Sequence, residues 1–156
     1  MANVMRWRYG ETNPVMMPVD AGTVIEIGDL LYLATDDVRP AVSLASAGTV
    51  AATQEEFHDN FVGVAMQCSP EGSTDAIRVA TTGVFEFDCA SATFDVGDLV
   101  GGQDAGGGEL ENQLVTEVAT ANLAVGRCVK RVSPAGTKVL VDVVSTLVKG
   151  GPQAAA

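Results

Sequence analysis

The chain has 156 residues, 20 acidic and nine basic, and its net charge of −11 works against binding nucleic acid or an anionic membrane. Apolar residues make up 47% of it but aromatics only 5%, a balance of Ala, Val, Gly and Thr that favours strands and tight turns over long helices. Three cysteines, Cys68, Cys89 and Cys128, are an odd number without CxxC spacing, so neither a disulfide framework nor a zinc site has support, and reduced thiols are expected.

Residues 1–18 read as an extended N-terminal arm. Pro14 and Pro18 exclude a regular helix across its second half. A disordered tail is polar, whereas this segment holds Val4, Met5, Trp7, Tyr9, Val15, Met16 and Met17. Arg6 and Arg8 make residues 1–9 positive, while residues 10–109 carry 17 acids against two bases. Arg6, Trp7, Arg8, Tyr9, Met16 and Met17 are therefore the expected partner-binding residues, reaching off their own domain toward an acidic neighbour; the alternative is that the arm folds back as an edge strand and Trp7 plugs its own barrel.

Residues 19–148 read as a single β-domain. Its first strands are expected at 24–33 and 40–44, with Asp36 and Asp37 in the turn between. Residues 46–52 form a small-residue loop. One short helix is expected over 53–60, where Thr53 and Glu56 have capping-box spacing. Residues 61–67 read as a buried strand. Residues 76–81 and 84–88 read as a hairpin turning at Thr82 and Gly83. Residues 103–109, QDAGGGE, read as a flexible loop. Strands follow at 114–118, 124–132 and 138–147, the last two joined by a turn at 133–136. Residues 149–156 read as a flexible C-terminal tail.

A pseudo-repeat runs through the domain. Residues 24–33, VIEIGDLLYL, share an apolar–acid–β-branched–Gly-Asp-Leu pattern with residues 93–102, TFDVGDLVGG. Gly28 with Asp29, and Gly97 with Asp98, suit a tight corner, because glycine takes backbone angles other residues avoid and aspartate bonds its own turn. Further along, residues 61–64 answer to 123–126, and 75–81 to 138–144. Many short strands between turns point to an all-β barrel or sandwich.

Catalytic patterns do not emerge. His58 is the only histidine, in an acidic stretch. No Ser, Cys or Lys lies in a nucleophile motif, and the glycine-rich run at 101–108 lacks the Lys-Ser/Thr of a phosphate cradle. Asp29 and Asp98 suit paired acids less well than turn residues. No EF-hand spacing surrounds Asp36, Asp37 or Asp104. No run approaches a membrane span, and residues 1–10 do not form a secretory signal. Charged residues are 19% of the chain, against roughly a quarter in a typical domain, so part of the surface is expected to meet a partner.

The runs FVGVAMQ (61–67), IRVATTGVFEF (77–87) and DVGDLV (95–100) together resemble the small phage head decoration, or capsid cement, proteins. The resemblance covers residues 22–100 best and the remainder only in style. It implies a β-barrel or β-tulip domain and a homotrimer bound to the major capsid protein at a local threefold axis. It further implies a place on the outer capsid surface after assembly in the host cytoplasm, with no cofactor and no catalytic residue. The alternative is a glycan-binding or adhesion module on a virion or cell surface, but loops 46–52 and 103–109 lack the aromatics such a module displays.

Overall fold

The computed structural model describes residues 3–154, so the outermost two residues of the expected arm and of the expected tail lie outside the described residues. Eleven strands form two sheets. The first contains β2 (Val15–Met17), β3 (Leu30–Ala34), β4 (Asp37–Pro40), β5 (Phe61–Ala65) and β6 (Ile77–Ala80), in the order β2-β6-β5-β3-β4. The second contains β7 (Thr82–Phe94), β8 (Leu99–Gly106), β9 (Glu109–Glu117), β10 (Gly126–Cys128) and β11 (Val132–Val144), in the order β7-β11-β10-β8-β9. The two orders are the same topology written twice. A further strand, β1 (Trp7–Tyr9), lies against β7.

Each copy closes on itself. In the second, β7 pairs in parallel with β9 through Asp88 with Leu114 and Cys89 with Val115, completing a five-stranded barrel. In the first, the Val38 N–H donates to the Pro18 carbonyl at 3.0 Å, just beyond β2. Pro18 has no N–H to return a bond, so this barrel closes more loosely. The all-β expectation holds, and the expected barrel or sandwich resolves into two small barrels built on one plan.

The repeat sits in the core residues too. Leu31, Val62, Ala65, Ile77 and Val79 belong to one buried cluster, and their counterparts Val100, Val125, Cys128, Val139 and Val141 to the other. By register, Val15 and Met17 of β2 correspond to Phe85 and Phe87 of β7. The larger cluster also takes Leu30, Tyr32, Phe61 and Val64 from the opposite face of the first sheet, which makes β5 buried at every position. Helix α1 (Val50–Asp59) bridges the barrels. Its Phe57 ring meets Tyr32 at 6.0 Å and Phe61 at 5.6 Å, while Gln54 donates to the Gly102 carbonyl of β8 at 2.8 Å.

Several expected boundaries move. The helix begins at Val50, and its cap is Thr49, whose hydroxyl accepts from the Ala52 N–H; Thr53 is buried inside the helix and donates to the Thr49 carbonyl. A second helix, α2 (Thr146–Lys149), is one turn capped by Ser145, where strand was expected. Residues 24–28 bend rather than form a strand; Ile25 makes an isolated bridge with Ser69, and the Gly28 N–H donates to the Ala65 carbonyl of β5. Residues 41–43 are a 3-10 turn. The expected hairpin at Thr82 and Gly83 is instead the crossing from the first sheet to the second, because the Thr81 and Thr82 N–H groups both turn to the Thr12 carbonyl. The 103–109 loop is the tip of the β8–β9 hairpin, and the 133–136 turn is an irregularity within β11.

The third sequence correspondence slips by one residue. Ala65 pairs with Val79, and its counterpart Cys128 pairs with Val141, an offset of 62 residues on the last strand rather than the 63 expected. A one-residue slip moves every side chain to the other face. Gly63 and Gly126 confirm the corrected register: a Cβ at Gly63 would overlap the Ala80 carbonyl oxygen, and one at Gly126 the Asp142 carbonyl oxygen.

These two glycines yield a direct test. Overpacking a core costs about 1–3 kcal/mol, and more where only backbone lines the site. Gly63→Ala and Gly126→Ala are each expected at or above the top of that range by chemical denaturation. Gly97 has a φ of +96°, but a methyl group there would meet only open space, so Gly97→Ala carries just the left-handed penalty of about 1–2 kcal/mol.

Candidate functional site

The Gly-Asp corners do the same job in both barrels. Asp29 accepts the Glu26 N–H at 3.0 Å, and Asp98 accepts the Asp95 N–H at 2.8 Å. Gly28 and Gly97, at φ of +98° and +96°, donate to the Ala65 and Cys128 carbonyls, which fastens each corner to β5 or β10. The two acids belong to separate turns. Burial pushes the Asp29 carboxyl above the usual carboxylate range, against the hydrogen bonds that lower it. One of these comes from Gln113 of β9, whose amide donates to Asp29 Oδ1 at 2.8 Å. Gly83 opens β7 at a φ of +119°, close under the Phe85 ring.

Gln113 leads to the N-terminal segment. It accepts the Arg6 Nε proton at 2.9 Å. The same guanidinium donates to the Glu86 carbonyl at 3.2 Å, pairs with Asp88 at 3.1 Å, and lies 5.9 Å from the centre of the Phe87 ring. Lys138 holds the other Asp88 oxygen at 2.7 Å. The Lys138 bond, chiefly, holds the Asp88 carboxyl below its usual range, with Arg6 adding to it. Arg6 is only 4% exposed.

The arm therefore does not leave its own domain. It folds back as β1 on the second barrel and β2 in the first. Its reversal is physical: Arg6 finds a buried amide and a carboxylate in its own chain, and β2 supplies the strand that the first barrel needs. Arg6 and Met17 face inward. Trp7, Tyr9 and Met16 stay outward, at 39%, 52% and 57% exposure, and the Trp7 indole N–H donates to the Gly10 carbonyl. Arg8 lies on the surface against Glu86 at 3.2 Å. The sequence pattern does not single out Gln113 or Asp88. Nothing local marks them, since each sits in an ordinary alternating strand.

His58 contacts the Ala124 carbonyl at 2.7 Å, tying α1 to the second barrel. Cys89 and Cys128 are buried free thiols, both pushed up by burial, and Cys68 is exposed. Among the described residues, no group of three His, Cys, Asp or Glu side chains is placed to hold a metal ion. The N-terminal segment exposes large apolar side chains on both sheets, Trp7 and Tyr9 on β1 and Met16 on β2.

A family model described as phage cement protein matches residues 39–143. The chain belongs to the phage cement protein family. No curated protein and no solved structure matches it. As a cement protein it is a structural phage component associated with the capsid, of a family not typically enzymatic. The matched span runs from β4 to the end of β11, and so reaches well beyond residues 22–100 into the second barrel. It leaves out β1 and β2, where Trp7, Tyr9 and Met16 lie.

The Asp88 pairing sets a pH dependence. A carboxyl whose pKa is lowered in the fold contributes stability above the ordinary aspartate range of about 4, and that contribution disappears as pH falls through the lowered value. Asp88→Asn is therefore expected to be less stable than the parent at neutral pH, with the gap closing in acid. Paired denaturation curves across pH check it; a gap that widens in acid contradicts the assignment. Arg6→Ala also removes the guanidinium bonds to Gln113 and to the Glu86 carbonyl, at a cost of about 1–3 kcal/mol by chemical denaturation.

Proposed function

We propose that this cement protein binds the outer surface of the assembled capsid as a homotrimer, through contacts with the major capsid protein, and stabilises the lattice. The observation that carries the seating is the placing of apolar surface. Ten large apolar side chains are exposed among the described residues, and five of them, Val4, Met5, Trp7, Tyr9 and Met16, lie in the N-terminal segment. Clusters of this kind mark interaction sites, and Trp and Tyr are favoured anchors. The buried Arg6 holds the segment in place beforehand, which lowers the ordering cost of binding. The trimer itself follows from the resemblance to decoration proteins.

The mechanism is linkage. A protein that binds the assembled lattice but not free subunits stabilises the lattice by mass action. Three copies joined together raise the effective concentration of each further contact. No chemical step is involved.

Co-sedimentation with purified capsids tests the reading. The protein is expected to pellet with expanded capsids, to raise their melting temperature, and to have a trimer mass by light scattering. Trp7→Ala is expected to weaken capsid binding by about 2 kcal/mol, the level of a hot spot, while the free protein keeps its thermal stability. A folded protein that stays in the supernatant overturns the proposal.

A further inference from the structure

We propose that the outer face of the second barrel docks on the acidic first barrel of a second copy of this chain, head to tail. The face runs across β1, β7 and β11. Arg8 pairs with Glu86 at 3.2 Å, Glu86 lies in register with Leu140, and Lys138 pairs with Asp88 at 2.7 Å. A shallow groove continues from there, with Lys130 and Arg131 on its wall and Leu140 and Val132 in its lining. Arg8, Lys130, Arg131 and Lys138 are four of the nine basic residues of the chain.

Paired acids do not cancel this surface. Lys138 and Arg8 are 58% and 42% exposed, whereas the Asp88 and Glu86 carboxylates beneath them are 34% and 30% exposed. Arg131 is 71% exposed, and among the described residues it forms an ion pair with Asp95, itself 77% exposed. Such a pair is worth little in water. A visiting surface therefore meets the more exposed cations first, around a groove that Glu86 also lines and that Val132 and Leu140 make partly apolar.

The first barrel supplies the complement. Residues 15–81 hold ten acids against two bases, Arg39 and Arg78. Like charge prevents two first barrels from facing each other, and the basic faces repel likewise. Opposite faces of two copies attract, and such a heterologous contact forms rings when its rotation closes. The inference rests on the homotrimer reading only for the number of copies in the ring. It leaves the Trp7 and Tyr9 side chains for the capsid.

Sedimentation velocity on the full chain tests it, at salt from about 0.05 M to about 0.5 M, a range over which the screening length falls severalfold. The wild type is expected to associate at low salt and to weaken as salt rises. K130E/R131E is expected to weaken association at least about tenfold, or about 1.4 kcal/mol. Adding D104K/E109K, at the β8–β9 hairpin, restores the net charge without restoring the face. That quadruple variant is expected to remain weak; recovery of association would mean that net charge alone was responsible and would overturn the proposal. Carbodiimide cross-linking of mixed light and heavy copies is expected to join Lys130 or Lys138 to carboxylates of the first barrel. Intermolecular cross-links confined to second-barrel carboxylates would also overturn it. So would a wild type that remains monomeric yet pellets with capsids, an outcome that leaves capsid binding standing.

Discussion

Two carbonyl oxygens without room for a methyl group govern this fold. At Gly63 and at Gly126 the neighbouring strand passes where a side chain would begin. Hydrogen-bonded strands normally keep their Cβ atoms clear of each other, so each close pass marks a sharp local bend. Five-stranded barrels need such bends, because few strands must turn through a full circle. The same crossing recurs at the same place in each copy, with a valine from the neighbouring strand, Val79 or Val141, beside the glycine. The Gly-Asp corners then fasten the loop entering β3 or β8 to the end of β5 or β10. Closure thus depends on two devices per barrel, and both were written twice.

This duplication explains which parts of the architecture were legible in the sequence. A corner held by an aspartate three residues after the group it caps is local, so Gly28-Asp29 and Gly97-Asp98 announced themselves. The uninterrupted apolar run that opens residues 61–67 likewise marked a buried strand. Register between distant strands carries no such local mark, and the last correspondence consequently falls one residue out in sequence. The Thr82-Gly83 step misleads for a related reason. It has the composition of a hairpin turn, but the Thr82 N–H, like that of Thr81, donates to the Thr12 carbonyl, about seventy residues away in the chain.

The N-terminal segment was the hardest to read. Three of its large side chains, Trp7, Tyr9 and Met16, are exposed. The arginines looked alike in sequence and take opposite fates. Arg6 is drawn inward because Gln113 and Asp88 converge on it from β9 and β7, while Arg8, two residues on, lies on the surface against the Glu86 carboxylate and the Met5 and Trp7 carbonyls. An arginine bonded to a buried amide, a backbone carbonyl and a carboxylate at once is a fixed structural element. It joins β1 to the second barrel and, through Gln113 and Asp29, to the corner of the first. Loss of Arg6 therefore disturbs both barrels, whereas loss of Arg8 disturbs a surface pair.

Crowding on a capsid adds a constraint that the two barrels answer. Structural proteins packed at high local concentration are exposed to edge-to-edge strand pairing, and free sheet edges template it. Closure removes most of that risk here. In the second barrel β9 returns to β7, and in the first the Val38 N–H reaches the Pro18 carbonyl. Among the described residues the three residues of β1 form a short edge on the second barrel, and it carries the charged Arg8 between Trp7 and Tyr9. An edge that short, interrupted by a charge, is a poor template for another backbone but still presents two large aromatic side chains.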